Sequence, residues 1–83
     1  MRDLPDDEAL TARLTARRRA IGDRVRAERT RQKRTQDAVW MAARISRGTY
    51  QRVEAGEEVT LGTLLRIAWV LDTPLAELVA ELE

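Results

Sequence analysis

Apolar residues recur along the chain at the spacing of amphipathic helices rather than of strands. No stretch alternates between apolar and polar residues over the length of a strand, and glycine and proline together number only six. Because apolar residues three or four positions apart share one face of a helix, this pattern predicts an all-α chain. The spacing is clearest in a fourth predicted helix, whose apolar face comprises Leu61, Leu64, Leu65, Ala68 and Leu71.

The first predicted helix is the longest. It begins at Pro5-Asp6-Asp7-Glu8, where aspartate side chains can cap free backbone N–H groups and acids suit the positive end of the helix dipole. Its apolar positions are Leu10, Leu14, Ile21 and Val25. The pattern leaves open whether residues 6–32 form one helix or two with a break near residues 15–19.

Four shorter helices follow, and residues with capping preferences mark their ends. The second and third are predicted at residues 36–44 and 47–55, and Gly56 is a good stop after the third. The predicted N-caps of the second, third and fourth helices are Thr35, Ser46 and Thr60. The sequence DTP at residues 72–74 breaks the fourth helix, and its proline suits the first turn of a last helix. The apolar positions of that last helix are Leu75, Leu78, Val79 and Leu82.

Length and composition limit the chain to one small folded domain. At 83 residues there is room for one hydrophobic core, and 43% hydrophobic with 35% charged residues excludes a disordered chain. We expect no membrane span, because no uncharged run approaches the ~18 residues required. We also expect no signal peptide, since the first residues lead into acids rather than an apolar segment. Packing alone is marginal at this size, so oligomerisation is expected.

Two residue types that often carry catalysis and metal binding are missing. The sequence contains no cysteine and no histidine, which removes disulfides, thiol nucleophiles, histidine bases and ordinary zinc sites. The consecutive acids at residues 6–8 point in different directions on a helix, so capping explains them better than a metal site. We therefore expect no enzymatic activity, no cofactor and no metal, and a cytoplasmic location is compatible with the lack of cysteine.

Basic residues concentrate in the middle of the chain between two acidic ends. Residues 11–34 carry ten lysines and arginines against Asp23 and Glu28, whereas residues 57–83 carry Arg66 against six acids. This asymmetry suggests one face that meets a polyanion, although a solvated basic helix would give the same pattern. The run Arg17-Arg18-Arg19 is open to both interpretations, as a basic arm over nucleic acid or as a solvated face.

The third predicted helix has an outer face suited to reading nucleic acid. Tyr50 and Val53 face inward, and none of the outer residues is acidic. Those outer residues are Arg47, Gly48, Thr49, Gln51 and Arg52. In a DNA major groove, arginine pairs with guanine O6 and N7, and glutamine pairs with adenine N6 and N7.

Two stretches carry a resemblance to a known family. Residues 35–39, TQDAV, and residues 45–56, ISRGTYQRVEAG, resemble the helix-turn-helix of the phage repressor/Cro-like (XRE-type) DNA-binding family. Residues 21–32 resemble the first helix of that family, and residues 60–78 resemble its closing segment. The resemblance implies a five-helix repressor-like DNA-binding domain at residues 20–83, with its helix-turn-helix at 36–55, and an additional N-terminal helical arm at 1–19.

The resemblance also implies which side chains meet DNA. Gln36 would touch a phosphate or an outer base, Ser46 would cap the recognition helix, and Thr49 would contact a phosphate or a thymine methyl group. The residues it implies at base edges or the flanking backbone are Arg47, Gln51 and Arg52. Glu54 commonly pairs with a first-helix arginine in this family, which here is Arg29, as a structural clamp between the helices.

The sequence departs from the family pattern at the turn and after the recognition helix. Trp40 stands where the family usually has alanine, and Arg44 stands where it often has glycine. Gly48 lacks a base-reading side chain but would let the backbone approach DNA closely. Glu57 and Glu58 would repel phosphate after the recognition helix. Phosphate anchoring is therefore expected from other residues, namely Arg31, Lys33 and Arg34.

These features predict a transcriptional regulator that binds double-stranded DNA sequence-specifically, as a homodimer on a pseudo-palindromic operator. The alternative is a protein-interaction module, antitoxin-like or an adaptor, that uses the same fold to hold a partner chain. Trp40 and Trp69 are expected in a core or interface rather than stacked on bases. Val79 and Leu82 either close the core or form a homodimer contact.

Overall fold

A computed structural model describes residues 7–82, which form five α-helices and no strand within that range. The helices are α1 (Asp7–Arg31), α2 (Gln36–Ala43), α3 (Arg47–Glu54), α4 (Leu61–Val70) and α5 (Leu75–Val79). The predicted all-α fold with five helices is confirmed. Pro5 and Asp6, which belong to the predicted start of the first helix, lie outside the described residues.

Helix α1 is a single unbroken helix of 25 residues, which settles the question of a break near residues 15–19. At 1.5 Å per residue it is ~37 Å long. The molecule measures 49 Å along its longest axis and only 23 and 18 Å across. Its elongation therefore follows from α1, whose N-terminal half extends beyond the other helices.

The three predicted N-caps are confirmed by their hydrogen bonds. Each side-chain oxygen accepts the backbone N–H three residues further on, which satisfies a donor that the first turn leaves free. These bonds run from Ala38 to Thr35 at 3.0 Å, from Thr49 to Ser46 at 3.0 Å and from Thr63 to Thr60 at 3.1 Å. Pro74 lies one position earlier than predicted, as the N-cap of α5, where its φ of −56° leads the chain into the helix.

Four helices end in the same way, with one residue in the left-handed region. Those residues are Lys33, Arg44, Gly56 and Asp72, with φ between 51° and 80°. After α2, the Arg44 N–H donates to the Met41 carbonyl and the Ile45 N–H to the Trp40 carbonyl, both at 3.2 Å. This pair of bonds satisfies carbonyls that the last turn leaves free, and it ends α2 one residue before the predicted position.

One core lies among the five helices, where α3 packs against α1 and α2, and α5 packs against α1 and α4. Its largest fully buried side chains are Tyr50, Ile67, Leu71, Leu78, Val25 and Val39. The apolar face predicted for α4 is partly wrong, because Leu61 and Leu65 are exposed and Ile67 takes an inner position. Packing against α2 on one side and α5 on the other rotates that face toward residues 64, 67, 68 and 71.

Helices α1 and α3 approach closely at a glycine. A Cβ atom built on Gly22 would lie 2.5 Å from the Val53 carbonyl oxygen and 2.9 Å from that of Glu54. Both oxygens belong to the backbone of α3 and cannot move aside as a flexible side chain would. Gly22 is therefore the residue that lets α1 pass directly behind the recognition helix predicted from the sequence.

Candidate nucleic-acid interface

Helices α2 and α3 are joined by only three residues, 44–46, and this link sets their relative orientation. Arg44 reverses the chain in the left-handed conformation, Ile45 packs against the core, and Ser46 caps α3. Trp40 is half-buried beside this turn, and its indole N–H donates to the Asp37 carboxylate at 2.9 Å. The large side chain is thus partly buried and packs against the core.

Helix α3 has a buried face and an exposed face. Tyr50, Val53 and Glu54 are buried, with exposures of 0%, 2% and 5%. The exposed residues of the helix are Arg47, Gly48, Gln51 and Arg52. Within residues 7–82, no hydrogen bond or ion pair occupies the side chains of Arg47, Gln51 or Arg52. The long polar groups that the sequence places at DNA are therefore free in solvent on one surface.

The buried face is fixed through the carboxylate of Glu54. Arg29 donates to it twice, from Nε to Oε2 at 2.7 Å and from Nη2 to Oε1 at 3.2 Å. The Gln36 amide donates to Oε1 at 3.0 Å, the Tyr50 hydroxyl donates to Oε2, and Arg26 lies 3.5 Å from Oε1. One acidic group thus joins α1, α2 and α3.

The pKa values in this cluster are shifted as its contacts dictate. Burial by itself raises the pKa of Glu54, but hydrogen bonds from Arg29, Tyr50 and Gln36 lower it below the ordinary value. The bond to Glu54 raises the pKa of Arg29, and burial raises that of the Tyr50 hydroxyl. At neutral pH the cluster therefore holds one carboxylate paired with a guanidinium, and the tyrosine stays protonated.

The remaining predicted contacts of α2 and α3 already have partners inside the protein. Gln36 is half-buried and uses an amide hydrogen on Glu54. The Ser46 hydroxyl donates to the Thr49 hydroxyl at 2.8 Å while it caps the helix. A Cβ on Gly48 would meet no heavy atom within 4 Å, so the backbone there is open to an approaching ligand.

The three predicted phosphate anchors are not equivalent. Arg31 pairs with Glu28, with 3.0 Å between Nε and Oε2, and this bond, followed by one from Gln32, lowers the pKa of Glu28 to about 2. Arg34 donates to the Val70 carbonyl at 2.6 Å, at the C-terminal end of α4. Lys33 is exposed and has no such partner within the described residues. The structure thus leaves only Lys33 fully free among the three.

One residue near the site was not identified from the sequence. Arg26 donates to the Glu54 backbone carbonyl at 2.9 Å as well as approaching its carboxylate. The available signal was spacing, since Gly22, Arg26 and Arg29 recur on the same face of α1. Glu58, which the sequence predicts to repel phosphate, lines a shallow cleft with Arg52 between α3 and α4.

The described residues hold no group of three or more histidine, cysteine, aspartate or glutamate side chains that could bind a metal ion. Among the helices of residues 7–82, none has the length and apolar character needed to cross a membrane.

Comparison with known families gives a match to the helix-turn-helix domain over residues 20–82. This span covers most of the chain and includes α2, α3 and the turn between them, so the protein belongs to the helix-turn-helix domain family. That membership is consistent with the XRE-type resemblance, and it suggests DNA binding. No curated protein and no solved structure matches the chain at a significant level.

Proposed function

We propose that this protein is a transcriptional regulator that binds double-stranded DNA sequence-specifically, with α3 in the major groove. The observation that carries the proposal is the contrast between the two faces of α3. Its inner face is locked to α1 and α2 through Glu54, whereas Arg47, Gln51 and Arg52 project without internal partners. A rigid helix with free polar side chains is what direct readout of base edges requires.

The exposed side chains divide into base-reading and positioning groups. Arg47 and Arg52 are suited to guanine, and Gln51 is suited to adenine. Thr49 and Ser46 lie at the N-terminal end of α3, where hydroxyls and free backbone N–H groups bind phosphate. The open backbone at Gly48 allows the helix to approach the bases closely.

Positioning on the sugar-phosphate backbone is assigned to Gln36, Arg31, Lys33 and Arg34. Lys33 is free for this role, while Arg31 and Arg34 each retain guanidinium hydrogens beyond those used inside the protein. Phosphate contacts of this kind fix the register of a protein on DNA but do not carry sequence information.

The proposal includes a homodimer bound to a pseudo-palindromic operator, in the cytoplasmic location expected above. A two-fold symmetric pair of helix-turn-helix domains places its recognition helices in successive major grooves, about 34–36 Å apart. Two half-sites also supply more affinity than a single 83-residue domain has on one half-site.

Selection of bound sequences from a random DNA pool tests the proposal, followed by gel shifts on the selected site. Arg47→Ala and Arg52→Ala are each expected to lose ~1–3 kcal/mol of binding free energy and to relax specificity at one base pair. Arg66→Ala, an exposed arginine on α4, is the matched control for loss of one positive charge.

An equal loss of binding affinity on all DNA sequences would show that the two arginines contact only phosphate. Failure to shift any DNA at low salt would contradict DNA binding altogether, because backbone contacts make affinity steeply salt-dependent.

An exposed apolar stripe favours a second candidate, a protein-interaction module. Trp69 is 82% exposed, and Leu61 and Leu65 are exposed on the same face of α4. An apolar surface of this kind suits a partner chain rather than DNA. Binding to a partner without any gel shift on random or selected DNA would favour this function over the first.

A further inference from the structure

The N-terminal half of α1 extends beyond the rest of the domain with two leucines uncovered. Leu10 and Leu14 are each 45% exposed and do not belong to the core. None of the described hydrogen bonds or ion pairs joins residues 10–17 to another helix, and the first such bond along α1 runs from Arg18 to the Gly56 carbonyl. A helix of this length with a free apolar face needs a partner to cover it.

The free face forms a regular seam. Asp7, Leu10, Leu14 and Arg17 are spaced by three, four and three residues, which is the spacing of the inward positions of a coiled coil. The same spacing continues to Ile21, which packs against the core. The seam therefore begins at the domain and continues outward along α1 as two leucines flanked by one acid and one base.

We propose that this seam binds a second copy of the same chain, with the two α1 helices antiparallel about a two-fold axis near residue 12. In that register Leu10 of each copy faces Leu14 of the other, and Asp7 of each copy faces Arg17 of the other. Each contact occurs twice, as a two-fold symmetric interface requires.

The order of charges along the seam selects this partner and this orientation. The acid lies at the outer end and the base at the inner end, so a parallel pair would set like charges together. An antiparallel pair instead sets each carboxylate against a guanidinium. Neither side chain is satisfied within residues 7–82, since Asp7 has no ion pair there and Arg17 has only a 3.4 Å bond to the Arg13 carbonyl.

The register also predicts how strong the pairing is. Two leucine layers are fewer than the three to four heptads of a self-sufficient coiled coil, so the dimer is weak in free solution.

Thr11 lies beside the seam next to the axis, close to Thr11 of the second copy. Because the sequence contains no cysteine, Thr11→Cys introduces one thiol per chain, whose disulfide records even weak pairing.

Charge reversal in the full-length Thr11→Cys protein tests the pairing. Asp7→Arg alone and Arg17→Asp alone set like charges opposite each other, and each is expected to lower the cross-linked fraction several-fold. An equimolar mixture of these two variants restores opposite charges at both ends, so the mixed cross-link is expected to recover. Glu8→Arg is the matched control, because it makes the same charge change in the same turn but lies off the seam.

Three results would overturn the pairing. The first is no recovery of the cross-link in the mixture, with circular dichroism showing α1 intact. The second is an equal effect of Glu8→Arg and Asp7→Arg on the cross-linked fraction. If Arg17→Asp weakens only DNA binding while cross-linking is unchanged, the arm contacts DNA and the self-pairing is wrong.

The inference rests on the proposed homodimer but is measured without DNA. If the Thr11→Cys protein forms no cross-link while Arg52→Ala weakens gel shifts as expected, the pairing through the seam is contradicted and DNA binding is not. A normal cross-link without any gel shift contradicts DNA binding alone.

Discussion

The carboxylate of Glu54 binds side chains from three helices. Arg29 and Arg26 reach it from α1, Gln36 from α2 and Tyr50 from α3 itself. A buried charge is tolerated because every one of these partners donates to it or neutralises it. Helix α3 is consequently tied to α1 and α2 at its C-terminal end, away from the side chains proposed to read DNA.

This arrangement predicts how stability responds to acid. The pKa of Glu54 is lower in the folded protein than the ordinary 4.5, and that of Glu28 falls to about 2. Folding therefore favours the ionised carboxylates, so the stability they contribute is present above pH 4.5 and is lost as the pH falls below it. The unfolding free energy, measured by urea denaturation, is expected to decrease steadily from pH 5 toward pH 2.

Glu54→Gln isolates the contribution of the buried carboxylate. It is expected to lower stability at pH 7 by ~1–3 kcal/mol, because charged hydrogen bonds become neutral ones. It is also expected to reduce the fall in unfolding free energy between pH 5 and pH 2. Glu57 is an exposed acid, so Glu57→Gln is expected to leave both the stability at pH 7 and this fall unchanged. An acid dependence identical to that of the parent protein would contradict the assigned role of Glu54.

At the scale of helices, the close passage of α1 behind α3 depends on Gly22. Alanine favours a helix interior over glycine by ~1 kcal/mol, so propensity alone would predict that Gly22→Ala stabilises the protein. The backbone oxygens at 2.5 and 2.9 Å from the added methyl reverse that expectation. We expect Gly22→Ala to lower the unfolding free energy by ~1–3 kcal/mol through overpacking.

Gly48→Ala is the matched control, because a methyl group there meets nothing within 4 Å. It is expected to leave stability unchanged or raise it by up to ~1 kcal/mol in the same denaturation experiment. Equal effects of the two substitutions would show that α1 and α3 can separate at no cost.

Helix periodicity and capping residues were enough to predict the helices, but not which helices pack against each other. Thr35, Ser46 and Thr60 were identified because a cap depends only on residues within the same turn. Leu61 and Leu65 were assigned inward wrongly, because which part of an apolar face is covered depends on where neighbouring helices pack. Arg26 was missed for the same reason, since its contact with Glu54 joins residues far apart in the sequence.

At the scale of the whole molecule, acids are set beside the surface proposed for DNA. Glu57 and Glu58 are exposed in the loop after α3, and Glu58 shares a cleft with Arg52. Since like charges repel through solvent over roughly 10 Å at moderate salt, these acids oppose the approach of phosphate.

The double variant Glu57→Gln with Glu58→Gln is expected to raise DNA affinity several-fold at low salt. The gain should shrink as salt increases, because screening weakens the repulsion that it removes. Gel shifts at a series of salt concentrations measure it, with Glu77→Gln on α5 as the control, since α5 packs against α1 and α4. A gain that does not depend on salt would contradict an electrostatic origin.

The left-handed conformation of Arg44 couples the stability of the protein to its positive charge at the turn before α3. Its φ of 58° costs roughly 1–2 kcal/mol relative to a relaxed residue, and glycine would recover that energy. Glycine would also delete a positive charge from the tight link that leads into α3. A substitution by glycine at this one position would therefore raise thermal stability but weaken attraction to a polyanion. Lysine would keep the positive charge, but it would also keep the backbone strain.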